Sequence, residues 1–549
     1  MKKIIFSVAL AGLIFSACSD AYEIQQPGIV TEEGDVFRTS ADIGKGIRAI
    51  YGLFPGETEV IFTSFFTDEL GIGIHNSGQG VNDGSYTFLL QAGNGQVQSI
   101  WGSYYGAINR LNRIEARILE MENEVSSSEL AELKKHKAHL YGLRAFCNYK
   151  LFAYFTPDYT DPNGLSIIKF DFLQTDDYNR FEKRATVAEI VAFIESDIAK
   201  ARALGGIHFG DDPTAYASMP FLEAIEIKLY SMTQTTNGFV KLEEAFNRLV
   251  NPPAPDPNDP NGIFISPKFL DTFGFQTLFS GTPSDEAEGI FKLNRTSTDG
   301  TTTSGVASSW YANQVGGTTY MEMGRSLYNE LDKLDPQYQG LPLQGVDAND
   351  DPFVYDDRRD KRFQTAVHMT STVFPGYASL DFETYQLSDI LFIGKYEGIT
   401  NRPLMNNIWM FRFSDMLLAL AEKRAFEGNL TGNVAIDDFS NVESIIYNIR
   451  AKRTNDGIPA SMPTDFSTQQ AAYARILEER RVELAFEGQR YLDMKRLGVK
   501  AGSPGFVRDP QDCASTNACV LAPTSTRLTL PIPRSEMVAN PNVIQNPGY

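Results

Sequence analysis

Charged residues inside an apolar helical pattern are the first feature of this sequence that could do chemistry. The stretch ILEERRVELAFEGQRYLDMKRLG, residues 476–498, has a helical period, and Arg480 and Glu487 fall in the middle of its apolar face. An isolated ion in a low-dielectric interior costs several kcal/mol. We therefore expect both residues to be paired, with Glu483 and Arg490 as candidate partners along the helix. We interpret these charges as structural and not catalytic.

Few other residues are spaced for catalysis or for metal binding. His136 and His139 lie three positions apart in KKHKAHL, where a shared metal ion and a solvated face are both open, and the lysines favour the solvated face. The sequence has no H-E-x-x-H, G-x-S-x-G or G-x-x-x-x-G-K-[ST] pattern. The 69 Asp and Glu residues leave a hydrolytic carboxylate pair open, because such a pair need not be close in sequence. We predict a protein that is not an enzyme and that has neither a catalytic metal nor a cofactor.

Two acidic stretches could bind calcium. DPNDPNG (residues 256–262) and DANDD (residues 347–351) gather oxygen ligands, but neither completes the calcium-loop pattern with its distal glutamate. We expect turns at both places, and a structural calcium ion stays open as the alternative.

Aromatic residues in polar loops are the best candidates for ligand contacts. A neutral sugar presents an apolar C–H face and a rim of hydroxyls, which suits an exposed ring flanked by polar side chains. The Thr/Ser/Gly-rich segment 294–320 contains such a set: Trp310, Tyr311, Asn313, Gln314 and Tyr320. A second set lies in the glycine-rich stretch 75–88: Asn82, Asp83 and Tyr86. For Trp310, a ligand platform and local packing are both open, because exposed and buried rings look alike in sequence.

Charge and the N-terminal residues limit the possible partners and location. The 549-residue chain has a formal net charge of −20, which disfavours nucleic acid and other polyanions. Lys2 and Lys3 precede an apolar run that ends in Ser16, Ala17 and Cys18. We expect residues 1–17 to be a secretory signal, whose end resembles a bacterial lipobox with Cys18 as the lipid anchor. An ordinary signal with an incidental cysteine is the alternative.

The other cysteines suit an exported protein. Cys513 and Cys519 lie in the polar stretch DCASTNAC, so we predict a local disulfide in an oxidising compartment, with a metal site as the weaker alternative. Cys147 lies within a helical pattern and is expected to be a core residue.

Helical periodicity dominates both ends of the chain. We predict helices over 100–121, 130–155, 187–204, 219–232, 238–250, 411–428 and 440–453, with Thr186 as a cap. The proline-rich break at 251–262 begins a loop-rich centre, and the prolines after Leu528 argue against a helix there. Trp101 and Trp409 lie in helical or strand motifs and are expected to be structural. The predicted architecture is mainly α, with antiparallel helix pairs similar to tetratricopeptide stacks.

Several motifs in the same order resemble one family. Residues 476–498 look like the C-terminal signature of the SusD/RagB family of outer-membrane nutrient-binding lipoproteins, and LPIPRSEMVANPNVIQNPGY (residues 530–549) resembles that family's ending. The motifs LYGLRAFCNYKLFAYF (140–155), DDRRDKRF (356–363) and FRFSDMLLALAEKRA (411–425) match in order.

The resemblance implies one SusD-like unit over residues 18–549. It implies a tetratricopeptide-like α-α superhelix, formed by a helical-pair region at about 40–250 and a C-terminal region at about 401–549, with a loop-rich lobe inserted at about 251–400. It further implies a lipid-anchored protein of the outer membrane, exposed at the cell surface. Such a protein would bind a glycan and deliver it to a SusC-type TonB-dependent transporter. The alternatives are a surface glycoside hydrolase with unrecognised carboxylates and a peptide-capturing member of the RagB type.

Overall fold

The protein consists mainly of α-helices around one continuous apolar core. The structure, a computed structural model, describes residues 37–72, 84–173, 181–205, 212, 214–252, 266–280, 283–295, 306, 321–346, 350, 352–373, 375–385, 391–396, 398 and 406–549. Buried side chains from the N-terminal helices, the central lobe and the C-terminal helices all belong to the same core. In the described part of the chain, none of the helices has the length and apolarity that a membrane span requires.

Within the described residues, seven helices form the N-terminal region. They are α1 (Ser40–Ile50), α2 (Gly56–Phe66), α3 (Gly95–Met121), α4 (Ser127–Phe155), α5 (Val187–Ala203), α6 (Met219–Thr233) and α7 (Thr236–Val250). Side-chain caps fix where several of them begin, since Asn94, Ser126 and Thr235 each accept a hydrogen bond from a first-turn amide. Thr186 and Glu189 form a complete capping box at the start of α5, as the sequence predicts. Short connections make consecutive helices antiparallel neighbours, and α3 packs on α4 as α6 packs on α7.

The central lobe has short helices and short strands. Its helices are α8 (Thr272–Thr277), α9 (Arg325–Asp332), α10 (Arg362–Ala366) and α11 (Thr370–Val373), and its strands are β4 (Gly289–Leu293), β5 (Glu322–Met323), β6 (Gln344–Val346), β7 (Pro352–Val354), β8 (Val367–His368) and β9 (Phe392–Ile393). Three strands precede the lobe: β1 (Leu70–Gly71), β2 (Leu165–Ile168) and β3 (Arg184–Thr186).

The C-terminal region returns to helix pairs. It contains α12 (Phe413–Glu427), α13 (Val442–Lys452), α14 (Gln469–Glu483), α15 (Arg490–Leu497), α16 (Pro510–Cys513) and α17 (Arg534–Ala539), with strands β10 (Ile408–Arg412), β11 (Phe506–Val507) and β12 (Val520–Leu521). The described strands pair in antiparallel twos: β1–β5, β2–β3, β4–β10, β6–β7, β8–β9 and β11–β12. The β4–β10 pair joins the lobe to the C-terminal region, and α12 packs against α6, α7, α13 and α14.

The predicted core residues lie inside. Trp101 and Trp409 are 4% and 2% exposed, and the Trp409 indole donates to the Leu278 carbonyl at 2.9 Å. Cys147 is fully buried in α4, where every residue from Ala138 to Phe155 is buried. The mainly α, helix-pair architecture predicted from the sequence is therefore confirmed.

Three local predictions are wrong. Residues 476–498 are not one helix, because α14 ends at Glu483 and Phe486 and Gly488 turn the chain with positive φ angles of 61° and 78° before α15 begins. The tail after Leu528 does contain a short helix, α17, which begins directly after Pro533, since proline is tolerated at a helix start. His136 and His139 form no solvated face, because both are buried and the Nε2 of His139 lies 2.5 Å from the hydroxyl of Tyr51.

A buried glutamate cluster holds the turn between α14 and α15. The Glu483 carboxylate contacts Arg453 at 2.6 Å and Arg412 at 3.2 Å, and both arginines also contact the buried Glu288 at the start of the lobe strand β4. Glu487 contacts Arg412 and Lys395, each at 2.7 Å. Burial favours protonation of Glu483, but Arg453 and Arg412 outweigh it and hold its pKa well below the ordinary value.

Arg480 belongs to a second buried cluster. It contacts Asp415 on α12 at 2.5 Å and Asp493 on α15 at 2.8 Å, and Lys228 on α6 contacts Asp415 at 2.8 Å. The pairing predicted for Arg480 and Glu487 is confirmed, whereas the predicted partners are wrong. Arg490 instead contacts Asp68 at 2.8 Å, between α2 and β1. The partners come from distant parts of the chain, because helix-spaced neighbours are too few to satisfy several buried charges at once.

Glu69 is a buried carboxylate placed directly before β1. Its Oε1 accepts a hydrogen bond from the Phe486 amide at 2.9 Å. Burial raises the pKa of Glu69 to about 7, although the Phe486 amide, the Ser64 side chain and Arg490 oppose the shift.

Removing one charge from the glutamate cluster should destabilise the fold. Glu483→Gln leaves Arg453 and Arg412 short of a buried counter-charge, so the free energy of unfolding should fall by about 3–5 kcal/mol. Chemical denaturation followed by circular dichroism measures it. Glu478→Gln on the same helix is the control, because that side chain is 47% exposed, and it should change stability by less than about 0.5 kcal/mol. If the two variants lost equal free energies of unfolding, burial of the charge would not be the cause of the effect.

The buried Glu69 should make stability depend on pH. Its folded pKa of about 7 lies above the ordinary value of 4.5, so the unfolded chain releases this proton first as the pH rises. The residue therefore costs stability progressively between those two values. Glu69→Gln keeps an acceptor for Phe486 and removes the charge. The free energy of unfolding of this variant should exceed that of the natural protein by a margin that grows from near zero at low pH to roughly 3 kcal/mol above pH 7. Urea titrations across pH test this, and a pH-independent difference would refute it.

Candidate functional site

Most of the residues predicted to contact a ligand lie outside the described residues. These are Trp310, Tyr311, Asn313, Gln314, Tyr320, Asn82 and Asp83. Cys18 and residues 1–17, and the two stretches considered for calcium except Asp350, also lie outside them. The structure does describe the residues from which the two predicted binding segments start and to which they return.

One end of each predicted binding segment lies at the same place in the fold. Strand β1 ends at Gly71, shortly before segment 73–83, and β5 begins at Glu322, shortly after segment 307–320. The two strands pair directly, Leu70 with Met323 and Gly71 with Glu322. We call the four residues of β1 and β5, together with Leu391, the loop junction.

Leu391 connects a third segment to the same place. The Met323 amide donates to the Leu391 carbonyl at 2.9 Å, and Leu391 directly follows segment 386–390. Backbone hydrogen bonds fix strands relative to one another without regard to side-chain type. The loop junction therefore gives three segments a common, rigid base.

Tyr86 supports this base and does not face solvent. The side chain has no exposed surface, its ring centroid lies 5.1 Å from that of Phe65, and the guanidinium of Arg508 lies 3.9 Å from the ring centroid. Its hydroxyl donates to the Asp512 carbonyl at 2.6 Å, and burial raises the pKa of Tyr86 to about 12. The prediction that Tyr86 is a ligand platform is therefore wrong, because neither face of the ring is available for stacking.

Asp512 joins the C-terminal region to the loop junction. Its carboxylate accepts hydrogen bonds from the Arg325 amide at 2.7 Å and from the Arg325 side chain at 2.6 Å, directly after β5. A Cβ atom added to Gly71 of β1 would lie 2.8 Å from Asp512 Oδ1, so this close approach requires glycine. One carboxylate thus packs against both strands.

A disulfide closes the loop that carries Asp512. Cys513 and Cys519 are bonded, as the sequence predicts, and Cys513 directly follows Asp512 at the end of α16. The Arg508 side chain crosses this loop, donating to the Ala518 carbonyl at 3.0 Å and to the Thr67 carbonyl at 2.9 Å before β1. The crosslink reduces the number of conformations available to this loop, and so it helps to hold Asp512 in place.

Sequence reasoning missed Asp512, Arg325 and Gly71 as residues that position the site. They are far apart along the chain, and each belongs to a short strand or loop with no periodic pattern. The one signal that could have identified them is the predicted disulfide, which marks the residue before Cys513 as conformationally restricted.

The buried carboxylates of the C-terminal helices do not form an open catalytic pair. Glu483 is fully buried and Glu487 is 5% exposed, and arginine or lysine contacts both. General acid–base catalysis needs a carboxyl group that substrate can reach. Among the residues that the structure describes, no group of three or more His, Cys, Asp or Glu side chains is arranged to hold a metal ion.

Comparisons with known proteins agree on one family. Residues 383–549 match the SusD family model. SusD-like protein P2 of Formosa agariphila is 30% identical over 214 residues, which cover 35% of this chain and 38% of that protein. The match thus spans less than half of the relative's length.

Solved structures extend the likeness to nearly the whole chain. A SusD superfamily protein from Bacteroides thetaiotaomicron has a TM-score of 0.66 at 20% identity, covering 93% of this chain and 100% of the other. A putative sugar binding protein from Bacteroides vulgatus gives 0.64 at 20% identity, covering 93% and 99%. A laminarin binding SusD-like protein gives 0.62 at 17% identity, covering 93% and 100%. At these identities the likeness concerns the fold alone. The family-model match covers the C-terminal part of the chain, and the likeness to SusD superfamily structures extends the same fold over nearly all of it.

Proposed function

We propose that this protein binds an oligosaccharide or polysaccharide at the cell surface and delivers it to a SusC-type TonB-dependent transporter. It does so as a lipoprotein of the outer membrane. The helical scaffold supplies the rigid body, and segments 73–83 and 307–320 supply the ligand contacts through Trp310 and its polar neighbours.

The pairing of β1 with β5 is the observation that carries this proposal. Segment 73–83, which has amide side chains, begins just after Leu70–Gly71, and segment 307–320, which has aromatic and amide side chains, ends just before Glu322–Met323. Contacts from both segments can then converge on one extended ligand. A rigid base lowers the entropy cost of ordering those contacts when the ligand binds.

The charge of the chain favours a neutral ligand. A formal net charge of −20 repels sulfated or phosphorylated polymers, whereas the binding of neutral sugars depends on stacking and hydrogen bonds. Two relatives of the same fold, one titled as laminarin binding and one as a putative sugar binding protein, support a glycan as the ligand class.

Binding without cleavage is the better reading of the carboxylates. Three acidic residues of the family signature, Glu479, Glu483 and Glu487, are buried, and each contacts a cation. Carboxylates fixed in this way stabilise a scaffold and are not available to protonate a glycosidic oxygen. This supports a receptor and not a hydrolase.

Trp310 should be required for glycan binding. Trp310→Ala removes the proposed stacking platform, so migration in native gels that contain a neutral polysaccharide should no longer be retarded. Covering a large apolar side chain with ligand contributes about 1.5–3 kcal/mol, so affinity should fall by roughly tenfold or more. A panel that includes laminarin gives the measurement, and the same samples are assayed for released sugars.

A matched control and two alternative outcomes make this experiment interpretable. Phe273→Ala removes a ring that is 65% exposed in α8, and it should leave retardation intact. Released sugars would favour the hydrolase alternative, and retention of a peptide with no polysaccharide would favour the peptide-capturing one. Unchanged migration of Trp310→Ala would remove that residue from the site.

The lipid anchor predicts where the protein is found. Cys18→Ser should move the protein from the outer-membrane fraction to the soluble fraction, because no acylated cysteine would remain at the processed N-terminus. Cell fractionation with immunoblotting measures the change. Ser19→Ala, at the next position, is the control and should leave the protein in the membrane. A Cys18→Ser variant that stays in the membrane would contradict acylation at this residue.

A further inference from the structure

A cavity with both polar and apolar lining lies next to the loop junction and has no part in the proposed glycan contacts. It has a volume of about 320 Å³ and opens between α9, α14 and the loop from Ala501 to Val507. This volume is at the lower end of the range for small-molecule sites. Asp68, which lies two residues before β1, also lines the cavity.

Two arginines and one aspartate form the floor of the cavity. Their side chains are nearly buried, with exposures of 10% for Arg481, 6% for Arg490 and 1% for Asp68. Arg490 uses its Nε and Nη2 on the Asp68 carboxylate at 2.8 and 2.9 Å. Arg481 contacts Asp68 and the Ser326 hydroxyl, but its Nε has no partner among the described residues. A buried N–H without a partner calls for a water molecule or a ligand.

Two glutamates face one another across the rim. Glu330 on α9 and Glu478 on α14 both line the cavity, and each is paired with a cation one turn away, Lys333 or Arg475, at 2.9 Å. Burial and the nearby Glu330 carboxylate raise the pKa of Glu478. The rim therefore presents carboxylate acceptors above a floor of guanidinium donors.

Three apolar residues also line the cavity: Leu477, Pro504 and Val507. Val507 is 38% exposed and pairs across β11 and β12 with Val520, which is 59% exposed. Apolar residues beside paired donors and acceptors match a molecule with one C–H face and a rim of hydroxyl groups.

We propose that this cavity is a second binding site, which takes a small, neutral, polyhydroxylated molecule of one or two sugar rings. The paired charges and the apolar residues together indicate the ligand class. Asp68, Glu330 and Glu478 are each contacted by at least one cation, so a free cation gains nothing from entering, and the apolar residues favour a ligand with a C–H face. Carboxylate and guanidinium groups side by side can accept from and donate to neighbouring hydroxyls.

This site goes beyond the proposed function, because none of its residues belongs to the segment that carries Trp310. It is also distinct from the buried clusters described above, since Glu478 is solvent-accessible at the rim whereas Glu483 is fully buried. The position beside Asp68 and the loop junction brings a ligand in this cavity close to the base of the main binding segments.

Ligand titration with small sugars tests the second site. D-Glucose, D-galactose, maltose and laminaribiose are titrated up to about 50 mM, with saturation-transfer NMR and calorimetry as the readouts. We expect at least one of them to bind. Glu478→Ala removes an acceptor at the exposed rim, and Ala474→Phe fills the cavity from α14. Each should weaken that binding at least about tenfold.

Matched controls separate this site from the main one. Glu132→Ala, which removes an exposed glutamate paired with Lys135 in the same one-turn geometry, should bind as the natural protein does. Trp310→Ala should also keep the small-sugar binding, even where it abolishes polysaccharide retardation. Thermal unfolding of each variant verifies the fold. The site is refuted if no sugar binds, or if Glu478→Ala and Ala474→Phe both bind unchanged.

Discussion

Buried charges that must be neutralised constrain the whole structure. Glu483 and Glu288 are both fully buried, and the same two arginines, Arg412 and Arg453, neutralise them. These four side chains come from the start of β4, from the end of β10, from the end of α14 and from the residue after α13. Replacing such a network with apolar residues is often neutral for stability, whereas removing one member leaves an uncompensated ion. The network therefore specifies one arrangement of lobe and scaffold more than it adds stability.

This constraint explains how a loop-rich lobe can be joined firmly to a helical scaffold. The lobe strands are only two to five residues long and pair in twos, which would be marginal by themselves. Glu288 and Lys395 of the lobe form ion pairs with the C-terminal region, and so does Arg325, which contacts Asp512. These ion pairs hold the lobe against the scaffold. With its base held, a segment attached to the lobe can vary in sequence without loss of the fold.

The sequence predicted the elements well because their causes are local. Period and caps identified the long helices, and the Thr186 capping box and the burial of Trp101 follow from residues within one or two turns. The interruption of residues 476–498 was missed because Phe486 adopts a left-handed conformation that its residue type does not signal. Tyr86 was misjudged because its loop looks polar, while the side chains that cover it, Phe65 and Arg508, are remote in sequence.

Long-range ion pairing was the part that sequence could not supply. The sequence shows that a buried charge needs a partner, but the identity of that partner depends on which elements pack together. Arg490, for example, contacts Asp68, which lies near the opposite end of the chain. Asp68 contacts two arginines: Arg490 on α15 and Arg481 on α14, which both line the cavity. Because β1 begins two residues later, the same carboxylate couples the charge network of the scaffold to the strand that carries a binding segment. The position of that proposed binding segment thus depends on charged residues that lie outside it.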